Sequence, residues 1–351
     1  MYKNDRLDVV WAADENYAFL AGVSMVSLFE NNKSFEQIAV WILDDHISDK
    51  SRKWLAECVQ KYGRDIQFLD MEEYILKIKR MGAAKWGIHG SYSAYSRMFL
   101  ADLMQQYGVS KVIYCDCDLI VDGSLREIWD FPLEGGTLGM VKEYNRVEIR
   151  DLLGLSRRDS YYQSGLLLID IALWRKKKCT QKLLWHMKHV SAVYPFVDQD
   201  LINCVLHDEI CTLPIQYNVN PRAIQFSYKQ LTYIYGLNED NYYTKNEFQN
   251  GLRNGQRPVV YHCSDPCGGR PWQAGNHNIF AKKWDYYFEK SMWHKTYVKE
   301  KYDPGSIQKI QYWLYSHLPK NIFAVILKYS ARWAMVKLVK KYGMYQKRGS
   351  E

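Results

Sequence analysis

The run Val112-Ile113-Tyr114-Cys115 is apolar and leads directly into Asp116-Cys117-Asp118. Residues two apart on extended backbone point to the same side, so both carboxylates can face one cation. A carboxylate pair just beyond the C-terminal end of an apolar strand suits a divalent metal, and a diphosphate can complete its oxygen shell. A solvated turn is the plainer reading of such a triplet, and a second one, Asp198-Gln199-Asp200, stands in the same chain. The strand in front of Asp116 sets the first apart. His262 closes another short apolar run, Pro258 to His262, where a hydrogen-bonded core histidine and a metal ligand are the two readings. Cys115 and Cys117 are too close for an easy disulfide, and no second CxC or CxxC pairs with them as a zinc site requires.

These residues need a scaffold, and the patterning supplies one. Leu7–Ala13, Gln37–Leu43 and Asp65–Leu69 read as buried strands, separated by helices over Tyr17–Glu30 and Ser48–Tyr62, with Ser48 as an N-cap. That alternation predicts a parallel α/β sheet. A helix is expected over Ser91–Tyr107, ended by Gly108, and strands over Lys111–Tyr114, Thr137–Val141 and Gly165–Ile171. Further helices are expected over Ala172–Val190 and Asp198–Leu206, whereas Asn218–Gly255 shows no clear period.

The 351 residues are 47% apolar and 25% charged, which excludes wholesale disorder. No window is long and apolar enough for a spanning helix, Met1–Glu15 has no apolar core of a signal peptide, and the eight scattered cysteines read as a reduced, cytosolic chain. The net charge of +8 lies entirely in Ser306–Glu351, which holds nine Lys/Arg and one Glu. A neutral body argues against nucleic acid as a partner, and the basic tail argues for an anionic one.

Taken in order, the segments resemble a known family. They are Ala12-Ala13-Asp14-Glu15-Asn16-Tyr17, Tyr95-Ser96-Arg97, the Asp116 triplet, Tyr162-Gln163-Ser164-Gly165 through Asp170, Asp198-Gln199-Asp200, and His262 with Arg270-Pro271-Trp272. This series resembles glycosyltransferase family 8, the retaining sugar-nucleotide transferases that include lipooligosaccharide galactosyltransferases. The resemblance implies a GT-A fold: a single Rossmann-like α/β domain with a mixed, mainly parallel sheet over residues 1–280. Residues 281–351 then form a helical, basic and aromatic extension.

It also implies a UDP-hexose donor, galactose or glucose, and Mn²⁺, with Mg²⁺ as the alternative ion. Asp116, Asp118 and His262 match the metal ligands; an imidazole among them favours a transition metal over Ca²⁺. Ala12, Asp14, Asn16, Arg97, Asp116, Cys117, Gln163, Gly268 and Arg270 match donor-binding positions. Asp198 and Gln199 match residues along the hexose and are the catalytic candidates. A neutral amide is a poor nucleophile, so front-face attack with the departing phosphate as base is expected at Gln199. For Asp14 and Asp198 the alternative reading is a helix cap. The family pattern usually has Asn where Gln163 stands and Lys where Arg270 stands, and the stretch from His262 to Arg270, with Cys263, Pro266 and Cys267, is about two residues longer than usual.

In the tail, Ile307, Ile310, Trp313, Leu314 and Leu318 share one helical face before Pro319. Ile322, Val325, Ile326, Tyr329, Trp333 and Val336 form a second stripe beside Lys328, Arg332, Lys337 and Lys341. Cationic flanks and Trp suit a helix lying in an anionic membrane surface, placing the chain peripherally on the cytosolic face; a helix docked on the body is the alternative. The acceptor is then expected to be a cell-envelope or lipid-linked saccharide. Two rival functions remain: a non-catalytic sugar-nucleotide or glycan-binding protein, and a phosphohydrolase with Asp116 as nucleophile, against which Ile120 counts.

Overall fold

The computed structural model describes residues 5–81, 92–191, 194–264, 268–342 and 346–347. Seven strands form one mixed, mainly parallel sheet. β1 (Arg6–Asp14), β2 (Gln37–Asp45), β3 (Asp65–Asp70) and β4 (Lys111–Cys115) run parallel in the order β3-β2-β1-β4. β7 (Tyr162–Asp170) lies antiparallel between β4 and β6 (Leu138–Lys142), and the strand Ile210–Thr212 pairs parallel on the far side of β6. A separate short pair joins β5 (Leu119–Val121) to Val260–His262. The expected α/β sheet is thus present with its mixed character, and each predicted strand appears within two or three residues of its expected limits.

The central strands are continuous apolar runs because both faces of the sheet are covered. One face packs on α1 (Glu15–Asn31) and α2 (Asp49–Lys61), the other on the segment 92–105 and the helices after β7. Ser48 caps α2 as expected, its side chain accepting from Ser51 N. α1 buries eleven residues, on nearly all sides. At Gly22 the Trp293 ring lies where a Cβ would stand, 2.3 Å from the nearest ring carbon, so only glycine admits this contact. Trp284, Tyr287, Phe288 and Trp293 belong to the same core as β1.

Two expectations need correction. Tyr92–Phe99 is a 3₁₀ helix, and only Leu100–Gln105 is α-helical. The segment expected as one helix over 172–190 is two, Ile171–Lys176 and Cys179–His189, broken where Lys178 takes φ 55°. The stretch 218–255 holds three short helices, Pro221–Gln225, Tyr228–Tyr235 and Lys245–Leu252; each is eight residues or fewer, too short to display a period.

The tail forms two helices, Ser306–His317 and Lys320–Tyr342. Phe323, Ala324 and Leu327 are buried in the main core, with Phe323 stacked on Phe226 at 6.1 Å. Arg146 Nη1 donates to Lys328 O at 3.0 Å, tying the second helix to the body. Leu314 and Leu318, expected on the exposed stripe, instead pack against that core. Ile307, Ile310, Trp313, Ile322, Tyr329 and Trp333 stay exposed, so docking and an outward apolar stripe coexist. Among the described residues no helix is long and apolar enough to cross a membrane. The seven described cysteines form no disulfide, and Cys267 lies outside the described residues.

Candidate active site

The carboxyl edge of the sheet gathers the chemistry. Trp11 of β1 pairs with Cys115 of β4, so Asp14 and Asp116 emerge at the same edge. β7 runs the other way and delivers Ser164 and Gly165 there, with Asp116 N donating to Gly165 O at 2.8 Å. A tight turn, Leu119 N to Asp116 O, sends the chain into β5, whose Leu119 pairs with His262. That pairing brings an imidazole 144 residues away beside Asp118.

Asp116, Asp118 and His262 each offer one ligand atom, and these atoms lie within 4.8 Å of one another. His262 Nε2 is 3.3 Å from Asp118 Oδ1, and Arg270 Nη1 is 3.2 Å from Asp118 Oδ2. Burial pushes both carboxyls up, but the His262 charge and hydrogen bond, with Arg270, outweigh it at Asp118 and draw it down to about 2. Asp116 stays raised: burial leads, partly offset by Arg97, and Asp118 adds repulsion. His262 is raised, its own burial being outweighed by Asp118. Two carboxylates and an imidazole, converging at the rim of an open cleft, fit a divalent cation.

Arg97 organises the rest. Its guanidinium is 2.9 Å from Asp116 Oδ1 and 3.1 Å from Asp198 Oδ2, donates to Ser164 O at 2.5 Å, and lies 4.2 Å from the Tyr114 ring centre. Asp198 is buried inside the helix Val197–Val205 rather than capping it, so the cap reading fails; burial, eased by Arg97, raises it to about 6. Gln199 is held at both ends of its amide. Oε1 accepts from Ser164 N at 3.0 Å, and Nε2 donates to Tyr161 Oη at 2.9 Å. Tyr161 in turn donates to Asp200 Oδ1 at 2.5 Å, and Asp200 Oδ2 accepts from Phe196 N at 2.6 Å. Val197, between them, takes φ 52°, a strained conformation for a β-branched residue that aims Asp198 and Gln199 into the cleft.

The cleft has a volume of about 410 Å³ and is lined by Ala12, Asp14, Arg97, Asp116, Cys117, Asp118, Asp198, Gln199, His262 and Arg270 from the expected set. That is within the range of small-ligand sites. Asp14 does two things, lining the cleft and capping α1 by accepting from Tyr17 N at 3.0 Å. Three expected residues stand elsewhere. Asn16 is exposed and outside the lining; Gln163 is buried behind it, donating to Asn218 O at 2.6 Å; Gly268 lines a small cavity against the tail, beside His277 and Tyr312. Tyr17, Tyr114, Ser164, Phe196 and Ser264 line the cleft without having been singled out as site residues. Tyr17, Tyr114 and Ser164 belong to or adjoin the motif segments, whereas Phe196 and Ser264 carry no sequence signal.

Residues 8–249 match the family described as glycosyl transferase family 8. The chain belongs to that family. Membership makes it an enzyme of the hexosyltransferase class, on the GT-A fold expected from the sequence. The chain is similar to General stress protein A of Bacillus subtilis (strain 168), at 25% identity over 84% of this chain and 96% of that protein. It is also similar to lipopolysaccharide glucosyltransferase WaaO of Escherichia coli (strain K12), at 23% identity over 80% and 74%. Among solved structures, the galactosyltransferase LgtC in complex with donor and acceptor sugar analogs superposes with a TM-score of 0.67 at 22% identity, over 82% of this chain and 99% of that one. GlyE of Streptococcus pneumoniae TIGR4 does so at 0.54 and 18%, over 98% and 66%.

Proposed function

We propose that this family 8 enzyme transfers galactose or glucose from a UDP-sugar, with retention, to a cell-envelope or lipid-linked saccharide. The observation that carries the reading is the Asp116–Asp118–His262 cluster at the mouth of a cleft that also holds Asp14, Asp198 and Gln199. A divalent cation on that cluster, Mn²⁺ by its mixed oxygen and nitrogen donors, would neutralise the diphosphate as the glycosidic bond breaks. Asp14 accepts a hydrogen bond from the uracil, and Arg270, 41% exposed at the rim, turns toward the diphosphate. Asp198 receives hexose hydroxyls. Gln199, with its amide fixed by Ser164 and Tyr161, borders the sugar as a neutral dipole; attack then comes from the leaving-group face, with the phosphate oxygen taking the acceptor proton. A lipopolysaccharide glucosyltransferase among the relatives supports an envelope acceptor.

Within the region 281–351, the outward stripe of the two tail helices, flanked by Lys320, Lys328, Arg332 and Lys337, supports association with an anionic membrane surface on the cytosolic side. The deciding experiment is a screen of UDP-sugars for UDP release with and without Mn²⁺. Release from UDP-galactose or UDP-glucose that requires the metal supports the reading. No release from any UDP-sugar, with UDP itself still bound, refutes catalysis and leaves a sugar-nucleotide-binding protein.

A further inference from the structure

The His262 ring is gripped from the side away from Asp118. Its Nδ1 lies 3.1 Å from Asn218 Oδ1, while Nε2 faces Asp118 Oδ1 at 3.3 Å. An imidazole that ligates a cation through Nε2 must carry its proton on Nδ1, and that N–H needs an acceptor. Asn218 supplies it. Asn218 is itself fixed: it is 1% exposed, and its backbone carbonyl accepts from Gln163 Nε2 at 2.6 Å. Gln163 is steadied in turn by Asn220 Nδ2, which donates to Gln163 Oε1 at 3.2 Å. Val219, the next residue, bridges the strand that carries the ring: His262 N donates to Val219 O at 3.0 Å and Val219 N to Val260 O at 2.9 Å. Gly165 closes the space above, since a Cβ there would stand 2.8 Å from His262 Cε1 and 3.1 Å from Asn218 Nδ2. That Nδ2 is buried without a hydrogen-bond partner among the described residues, so the amide is held by what its oxygen does.

We infer that Asn218 is a positioning residue that fixes the His262 tautomer and aims Nε2 at the cation, and that Gln163 acts through Asn218 rather than by touching the sugar. The inference rests on the metal-site reading proposed above. It also explains the Gln at position 163: the longer side chain spans from β7 to the backbone of residue 218, so the departure from the family pattern is part of the support behind the ligand.

The test is Mn²⁺ titration followed by the free-ion EPR signal, alone and with UDP, on the full chain. Asn218→Leu, which keeps the branching of the side chain but has no acceptor, is expected to weaken Mn²⁺ binding by about 10–100-fold, the usual effect of losing a hydrogen-bond partner behind a ligand. Asn218→Asp keeps an acceptor and is expected to restore it. Unchanged Mn²⁺ affinity in Asn218→Leu overturns the inference, provided His262→Gln does lose affinity; if His262→Gln also binds normally, the metal-site reading has failed instead. A second measurement does not depend on the Leu variant folding. Ring ¹⁵N shifts of His262 in the unaltered protein with Mg²⁺ and UDP, assigned against His262→Gln, should show Nδ1 protonated and Nε2 bare. The opposite tautomer overturns the inference.

Discussion

The Arg97 guanidinium and the Asp116 carboxylate, 2.9 Å apart, form an ion pair behind the proposed metal site. The same guanidinium reaches Asp198, so one cation joins both acidic triplets. Removing it leaves the buried Asp198 carboxylate without a counter-charge and Asp116, partly exposed, with only His262. Arg97→Met is expected to destabilise the protein by about 3–5 kcal/mol, read as a lowered urea midpoint at pH 7.5. A midpoint unchanged from the parent would mean that Asp116 and Asp198 do not depend on this charge.

Asp118 and Asp116 differ in what else they hold. Asp118→Asn is expected to abolish transfer with little loss of stability, because its partners are the other site groups His262 and Arg270. Asp116→Asn should abolish transfer and also lower the melting temperature, since it uncouples Arg97. Loss of leaving-group stabilisation of this kind is worth several kcal/mol. More than a tenth of parental activity in either variant sinks the assignment. Asp198→Asn should leave metal affinity unchanged.

Asp14 caps α1 and also lines the cleft, so Asp14→Ala is expected to register twice. Thermal melts should show about 0.5–2 kcal/mol of lost stability from the missing cap. Calorimetric titration should show UDP binding weakened by about 1–3 kcal/mol. A stability loss with intact UDP affinity would confine Asp14 to the cap.

Stability of the metal-free protein should fall as pH rises from about 5 to 7.5. Burial holds Asp198 at about 6 and Asp200 and Glu143 at about 7, so the folded state keeps protons that the unfolded chain has already released. His262, also raised, contributes in the same direction. With more protons bound in the folded state, the slope of unfolding free energy against pH is negative. Glu143→Gln removes one of these groups and should flatten the slope by up to about 1.4 kcal/mol per pH unit. Melts across this range test it, and an unaltered slope would remove Glu143 from the account.

The tail serves the fold and an outer surface with different residues. Phe323→Ala should cost about 3–5 kcal/mol, since the ring is buried against Phe226. Trp313→Glu combined with Trp333→Glu, both more than half exposed, should leave melting unchanged and abolish binding to anionic vesicles at low salt. Vesicle binding that survives the pair would argue against membrane association. Deleting everything from Ser306 is a poor probe, because it removes core residues as well.

Much of this is legible in the amino-acid sequence. The buried strands announced themselves through unbroken apolar runs, and the Asp116 triplet stood out because such a run precedes it. The 3₁₀ form of Tyr92–Phe99 was not legible, since its distinction from an α-helix lies in hydrogen-bond register rather than residue type. Nor was Asn218, which matters only because a strand pairing places His262 beside it; tertiary neighbours of this kind leave no periodic trace. Arg97 illustrates the same limit in reverse. A mid-segment arginine reads as a surface residue, and only the two carboxylates folded around it account for its burial.

Gly165 sets a limit on substitution. The His262 ring occupies the space where a side chain at this position would begin. An alanine there must bend the strand or displace the imidazole. If the ring serves turnover, this position should tolerate no side chain at all, which saturation mutagenesis scored for turnover can check.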